Sequence, residues 1–135
     1  MSNKTSQKVL VVDDEEPILE LLKYNLEKQG YEVRVASDGQ AGIEIAKKFH
    51  PDLVLLDIMM PKMDGVETCR LLRANTDLQN TFIVFLTARA EEYSEIAAFD
   101  VGADDYILKP IKPRALMSRI SALFRRESKK QSPTA

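Results

Sequence analysis

The chain has 135 residues, of which 44% are hydrophobic and 30% are charged, with 19 basic and 21 acidic side chains and a formal net charge of −2 at pH 7. This length and composition fit one globular domain with its own core, and the charge balance argues against direct nucleic-acid binding by this chain. The single cysteine, Cys69, excludes an internal disulfide, and no apolar stretch has the length of a membrane span or of a signal core, so we expect a cytoplasmic protein without membrane contacts.

Apolar runs and segments of helical periodicity alternate five times along the chain. The apolar runs predict strands at about 8–12, 31–36, 52–57, 81–86 and 104–108, of which the first, third and fifth are expected to be buried on both faces. The first helix is predicted to have Pro17 near its first turn and Gly30 as its C-cap, with an apolar face made of Ile18, Leu21, Leu22 and Leu26. Similar spacing predicts further helices at about 42–49, 66–72 and 90–101, and from Pro113 onward.

Five strand–helix units of this length predict an α/β fold with a parallel sheet and helices on both faces. Right-handed crossovers reduce the possible topologies to a few, and the flavodoxin-like doubly wound (βα)5 order 2-1-3-4-5 is the one we expect. We assign residues 1–126 to this domain and 127–135, which are polar and lack periodicity, to a tail or to the start of a linker.

The predicted fourth helix, at about 90–101, has few large apolar residues and several acids near its start. Fewer buried contacts lower the free energy that a local rearrangement requires. We therefore expect this helix to be the element that moves when the protein changes state.

Charged residues follow three of the predicted strands. Asp13 and Asp14 come directly after the first strand, Asp57 ends the third, and Lys109 follows the fifth. In an open α/β sheet the carboxyl ends of the strands form one binding edge, so these side chains are expected to meet. Three carboxylates and one ammonium suit a hard cation such as Mg²⁺ together with a phosphoryl group.

The same residues suggest phosphoryl transfer. A carboxylate such as Asp57 can act as a nucleophile and form an acyl phosphate. Lys109 offers a positive charge for one phosphoryl oxygen, and Thr87, at the end of the fourth strand, offers a hydroxyl for another. A cis peptide between Lys109 and Pro110 would aim the lysine inward.

Each of these residues alone has an ordinary structural explanation. The acids from Asp13 to Glu16 suit a helix N-terminus, and a single strand-end aspartate, threonine or lysine is usually solvated or locally hydrogen-bonded. Their joint placement at four of five strand ends is what favours a functional site.

Four segments of the chain resemble the receiver domain of two-component response regulators, the family of CheY-like proteins. They are VLVVDDEEP at 9–17, LVLLDIMMPKMDG at 53–65, IVFLTA at 83–88 and GADDYILKPI at 102–111. The resemblance covers about residues 7–126. It implies a switch rather than a conventional enzyme, in which a histidine kinase donates a phosphoryl group to Asp57 and the domain catalyses its own phosphorylation and dephosphorylation.

The resemblance also implies roles for individual residues. Asp14, Asp57 and the backbone carbonyl of Met59 would ligate Mg²⁺, with Asp13 acting through water. Lys109 would pair with the phosphoryl group. Thr87 and Tyr106 would form the switch pair, in which the hydroxyl moves toward the phosphoryl group and the ring turns inward.

Segments 21–33 and 118–126 look most like the OmpR/PhoB subfamily, whose members carry a winged-helix DNA-binding domain after a short linker. A stand-alone receiver that acts through protein–protein contacts is the alternative. The subfamily dimerises through helix four, strand five and helix five, and the residues that match its charged positions are Asp100, Asp105, Arg119 and Arg126. Glu95 and Ala115 depart from the pattern, which places homodimerisation on phosphorylation in question.

Two further residues, Met59 and Arg89, should flank the phosphoryl group. Met59 has no group that orients an attacking water, and Arg89 would shield the site, so we expect slow loss of phosphate. A phosphatase of the haloacid-dehalogenase type would need an acid at position 59, and a flavin carrier would need a phosphate-binding loop in place of the acids after the first strand.

Overall fold

A computed structural model describes residues 6–88 and 100–131, with side chains as far as residue 126. Its strands are β1 (Lys8–Val12), β2 (Glu32–Ala36), β3 (Leu53–Asp57), β4 (Phe82–Thr87) and β5 (Asp105–Leu108). Its helices are α1 (Glu16–Lys28), α2 (Gly39–Phe49), α3 (Gly65–Ala74) and a C-terminal helix (Pro113–Gln131), with a 3₁₀ turn at Thr76–Leu78. Most of the predicted fourth helix, including Glu95, lies outside the described residues, as does Arg89.

All five strands are parallel and lie in the order β2-β1-β3-β4-β5, which confirms the predicted topology. In the sheet register Val12 lies opposite Leu56, Asp57 opposite Leu86, and Thr87 opposite Leu108. The last residues of four neighbouring strands therefore lie along one edge of the sheet.

The core consists of two apolar layers, one on each face of the sheet. Successive residues of β1 alternate between them, so that Leu10 and Val12 belong to one layer and Val9 and Val11 to the other. The first layer packs under α2 and α3, and the second under α1 and the C-terminal helix. This double burial explains why β1 and β3 are almost continuously apolar in sequence.

Two predicted core positions are exposed. On α1 the buried residues are Leu19, Leu22 and Leu26, whereas Leu21 is 36% exposed, because the helix turns its 19–22–26 stripe toward the sheet. On β5 none of the four residues is fully buried and Leu108 is 50% exposed, because β5 lies at the edge of the sheet and has a neighbouring strand on one side only. The predictions for Leu21 and for a fully buried fifth strand were therefore wrong.

Local interactions position the loops around the strand ends. Gly30, with φ of 97°, follows α1 in the left-handed conformation expected at a helix C-terminus. Asp64 accepts a hydrogen bond from the Glu67 amide and caps α3. A Cβ on Gly65 would lie 2.2 Å from the Asp57 carbonyl oxygen, so only glycine allows the loop to return this close to the end of β3.

Among the described residues, no helix is both long enough and apolar enough to cross a membrane.

Candidate functional site

Three carboxylates meet at the carboxyl edge of the sheet. Asp13 and Asp14 follow β1, and Asp57 is the last residue of the adjacent strand β3. One oxygen from each lies within 4.8 Å of the others. Asp13 and Asp57 are 0% and 3% exposed, whereas Asp14 faces solvent. The structure therefore brings together the three acids that the sequence singled out.

Lys109 joins this cluster from the end of β5. Its Nζ lies 3.0 Å from Asp13 Oδ2, 3.3 Å from Glu15 Oε1 and 3.5 Å from Asp57 Oδ1. Its backbone N–H donates to the Thr87 carbonyl at 2.7 Å, and the Lys109–Pro110 peptide is cis. The convergence of the ammonium with the carboxylates, expected from the strand order, is present in the structure.

Backbone amides hold the two buried carboxylates in place. The Glu15 amide donates to Asp13 Oδ1 at 2.8 Å, and the Met59 amide donates to Asp57 Oδ1 at 3.3 Å. Asp13 Oδ2, the atom closest to Lys109, is buried, and its 3.0 Å contact with the ammonium is not well directed for a hydrogen bond. An oxygen of this kind is available as a ligand or as an acceptor for a ligand's water.

The charges of the cluster are poorly compensated. Burial, followed by the negative charge of Asp13, raises the pKa of Asp57 to about 7, against the opposing effect of Lys109. Burial also raises the pKa of Asp13, although its Lys109 partner acts in the opposite direction. Burial lowers the pKa of Lys109, but its contacts with Asp13, Asp57 and Glu15 outweigh that effect and raise it overall. Additional positive charge would relieve the repulsion between the two buried acids.

The donor set fits a hard divalent cation. Three carboxylates offer oxygen ligands within one small volume, and one of them carries the unsatisfied atom Asp13 Oδ2. Mg²⁺ binds through one or two carboxylates and keeps several waters, which the solvent-exposed side of Asp14 allows. The cluster could therefore hold a metal ion. The ligand role of the Met59 carbonyl stays a prediction; the Met59 side chain is 50% exposed.

Thr87 and Tyr106 lie on neighbouring strands and on the same face of the sheet. Thr87 ends β4 and is 2% exposed, whereas Tyr106 is half-buried against the layer under α3. Tyr106 pairs in register with Phe85, two positions before Thr87. This placement suits the switch pair that the resemblance implies, and the switch itself remains a prediction.

The residues expected on a dimer face lie along β5 and the C-terminal helix or just before them. Arg119 pairs with Asp105 of the same chain at 2.5 Å. Asp100, Arg126 and Ala115 are exposed. Two of the four predicted dimer residues therefore contact each other within one chain.

Glu15 is the site residue that the sequence analysis did not single out. In the sequence it is one of four successive acids before α1, yet its carboxylate contacts Lys109, which is 94 positions away in the chain. Its place directly after Asp13 and Asp14 was the available signal.

Comparison with known proteins decides the family. The model of the response regulator receiver domain matches residues 9–121. This chain belongs to that family. It is a receiver domain of a two-component response regulator, and the family assignment favours a switch over the phosphatase and the flavin carrier.

Individual relatives agree with this assignment. The receiver domain is 46% identical over 121 residues to the alkaline phosphatase synthesis transcriptional regulatory protein PhoP of Bacillus subtilis (strain 168), covering 90% of this chain and 50% of PhoP. It thus spans about half the length of that curated relative. Among solved structures it is similar to a CheY-like receiver domain from Methanospirillum hungatei JF-1, with 30% identity, a TM-score of 0.85 and coverage of 93% and 98% of the two chains. It is also similar to the chemotaxis response regulator CheY4 of Vibrio cholerae, with 32% identity, a TM-score of 0.82 and coverage of 87% and 98%.

Proposed function

We propose that this receiver domain accepts a phosphoryl group on Asp57, in a Mg²⁺-dependent reaction, from the phosphohistidine of a cognate histidine kinase. The observation that carries the proposal is the meeting of three carboxylates within 4.8 Å with the Lys109 ammonium, 3.5 Å from Asp57 Oδ1. Cation ligands, an acceptor carboxylate and a positive charge for the phosphoryl oxygens are the three components that this chemistry requires.

In the proposed reaction an Asp57 carboxylate oxygen attacks phosphorus, and the P–N bond to the donor imidazole breaks with its electron pair left on nitrogen. Mg²⁺, held by Asp14, Asp57 and the backbone carbonyl of Met59, with Asp13 acting through water, would supply positive charge that favours ionised Asp57 and neutralises the phosphoryl oxygens. Lys109 pairs with a phosphoryl oxygen, and the Met59 amide, which contacts Asp57 Oδ1, keeps the acceptor oriented. Later attack by water on phosphorus releases inorganic phosphate and restores the carboxylate.

The switch is proposed to run from the phosphoryl group to Thr87 and then to Tyr106. The hydroxyl of Thr87 moves toward the new phosphoryl oxygens, and the half-buried ring of Tyr106 turns into the space left behind. Both residues lie on the two strands at the β5 side of the sheet, so the change alters the face formed by the predicted fourth helix, β5 and the C-terminal helix.

We further propose that this face controls a DNA-binding output domain and forms a homodimer on phosphorylation. The similarity to PhoP, a transcriptional regulatory protein about twice as long, supports an output domain. The intrachain Asp105–Arg119 pair means that an intermolecular pair using either residue replaces an existing contact. A stand-alone receiver that acts through protein contacts is the second candidate, and the gene sequence beyond Ala135 distinguishes them, because only the first predicts a winged-helix segment there.

Incorporation of phosphate from acetyl phosphate tests the reaction. We expect Mg²⁺-dependent, stoichiometric labelling of the wild-type domain, abolished by EDTA and by Asp57→Ala. Asp77→Asn is the matched control, because Asp77 is exposed in the 3₁₀ turn outside the carboxylate cluster, and it should label normally. Labelling that persists in Asp57→Ala would exclude Asp57 as the acceptor.

A further inference from the structure

We propose that Glu15 is a positioning residue that draws the Lys109 ammonium away from Asp57 and thereby restrains occupancy of Asp57 by a phosphoryl group. This inference rests on the proposed function and names a control on it within the same site. The Glu15 carboxylate lies 3.3 Å from Lys109 Nζ, closer than the Asp57 oxygen at 3.5 Å.

The side chain of Glu15 does not have the role that its position predicts. Glu15 is the N-cap of α1, a position where a side-chain oxygen can accept a hydrogen bond from an amide of the first turn. It makes no such bond, although its backbone carbonyl accepts from the Ile18 and Leu19 amides. Its carboxylate instead accepts a hydrogen bond from Lys109 at the end of β5.

The ammonium of Lys109 is shared among three acids. Its side chain is 15% exposed, so the ammonium is largely removed from water and depends on Asp13, Glu15 and Asp57. A lysine ammonium has three N–H donors. A phosphoryl group on Asp57 would add acceptor oxygens next to Lys109. To donate hydrogen bonds to these additional oxygens, the ammonium would have to break its contact with one of its other partners.

Of these contacts, the one with Glu15 requires the least free energy to break. Asp13 is wholly buried, so losing the ammonium would remove compensating charge that water cannot replace there, whereas the Glu15 side chain is 60% exposed and water can replace the ammonium. An exposed pair of this kind changes an equilibrium by about two- to fivefold. The ion pair with Glu15 therefore competes directly with the phosphoryl group for Lys109, and it weakly disfavours the phosphorylated state.

Beryllofluoride, a tetrahedral phosphoryl mimic that binds an aspartate in the presence of a divalent cation, separates this effect from general electrostatics. The variants are Glu15→Gln and the matched control Glu16→Gln, which removes the same charge one residue further along, at the first residue of α1. Calorimetric titration measures the affinity for Mg²⁺ alone and then the affinity for beryllofluoride at saturating Mg²⁺.

We expect Glu15→Gln to bind beryllofluoride about two- to fivefold more tightly than Glu16→Gln does, with Mg²⁺ affinity equal in the two variants or slightly reduced. Structural damage would weaken both ligands, whereas release of Lys109 strengthens only the phosphoryl mimic. In a Lys109→Gln background, the difference between Glu15→Gln and Glu16→Gln in affinity for beryllofluoride should vanish.

Equal beryllofluoride affinities of Glu15→Gln and Glu16→Gln would overturn the role of Glu15 while leaving the proposed function intact. A difference between them that persists without the Lys109 ammonium would also overturn it. Failure of the wild-type domain to bind beryllofluoride or to take up phosphate would instead refute the proposed function, so the two failures are distinguishable.

Discussion

Asp57 is 3% exposed and ends a strand beside a second buried carboxylate, Asp13. This position keeps the carboxylate away from bulk water and makes its ionised form unfavourable in the absence of a cation. Burial and the charge of Asp13 together raise its pKa from 3.8 to about 7, which Lys109 only partly opposes. At the scale of single residues, the repulsion between these two buried carboxylates therefore destabilises the folded protein when no metal is bound.

The first prediction concerns the metal-free protein. Because the folded pKa of Asp57 is raised above its unfolded value, the native state retains a proton that the unfolded state loses between pH 3.8 and about 7. The free energy of unfolding should fall as the pH rises through this interval, and Asp57→Asn should remove that part of the slope. At pH 8 in EDTA, Asp57→Asn should be more stable than wild type by about 1–3 kcal/mol in urea unfolding.

Asp77→Asn, which changes an exposed carboxylate, is the control for this experiment and should leave the slope unchanged. If the free energy of unfolding of Asp57→Asn falls with pH as steeply as that of wild type, or more steeply, the repulsion that raises the pKa of Asp57 is absent from the metal-free protein.

The second prediction concerns the lifetime of the phosphorylated state. Met59 is close enough to Asp57 for its amide to contact Oδ1, and its 50% exposed side chain has no polar group to orient a water. Met59→Asn should speed the loss of phosphate by about three- to tenfold, a change of about 0.6–1.4 kcal/mol in the barrier. The measurement is the decay of labelled protein after removal of the donor.

Lys62→Asn is the matched control in the same loop, because Lys62 is exposed and its φ of 71° is one that asparagine tolerates. Equal decay rates for wild type and Met59→Asn would exclude this explanation of a long lifetime.

At the scale of elements, the end of α3 is fixed to the loops that precede β4 and β5. The guanidinium of Arg73 donates to the carbonyls of Leu78 at 3.0 Å, Thr81 at 2.7 Å and Gly102 at 2.9 Å, and to the Asp104 carboxylate at 3.0 Å. The same carboxylate accepts from the Ile83 amide. One side chain thus holds together the starts of two strands whose other ends carry Thr87 and Lys109.

The third prediction follows from this network. Arg73→Ala should lower the free energy of unfolding by about 2–4 kcal/mol, because three carbonyls and one carboxylate lose a shared charged donor. Arg70→Ala is the matched control on the same helix, since Arg70 pairs only with exposed Glu67 among its described contacts, and it should change stability little. Similar urea midpoints for both variants would contradict a structural role for Arg73.

At the scale of the whole molecule, the sheet joins the site to the rest of the fold. The acids lie at the ends of β1 and β3, whose apolar residues are almost fully buried between the two core layers, so the acid cluster is held by the most buried part of the protein. The Lys109 side of the site belongs to the edge strand β5, where burial is lowest. The two halves of the site therefore differ in how firmly they are held.

The fourth prediction is that Mg²⁺ stabilises the folded domain as a whole, because the acids converge only in the native state. At 100 times its dissociation constant, a ligand of this kind adds about 2.7 kcal/mol and raises the melting temperature. The increase should be lost in Asp14→Asn and kept in Asp77→Asn. Calorimetric scans with Mg²⁺ and with EDTA measure it, and an equal increase in Asp14→Asn would exclude Asp14 as a ligand.

Much of this fold and site followed from local patterns. The apolar runs ending at Val12, Asp57 and Leu108 predicted parallel strands, and the strand order then required Asp13, Asp57 and Lys109 to meet at one edge. These inferences succeeded because the periodicity of a strand and the order of the elements can be read from short segments of sequence. Parallel strands, in addition, place all their carboxyl ends on one side of the sheet.

The amino-acid sequence by itself determined the order of the elements, the two-sided burial of β1 and β3, and the identity of the acids and the lysine at the site. Only the tertiary structure decided that Leu21 faces solvent, that Arg119 pairs with Asp105 in the same chain, and that the Glu15 carboxylate contacts Lys109. These features depend on the rotation of packed helices and on side-chain contacts between distant segments. Sequence periodicity predicts neither the rotation of a helix nor its side-chain contacts, because it indicates which face of an element is apolar and not which residues pack against that face.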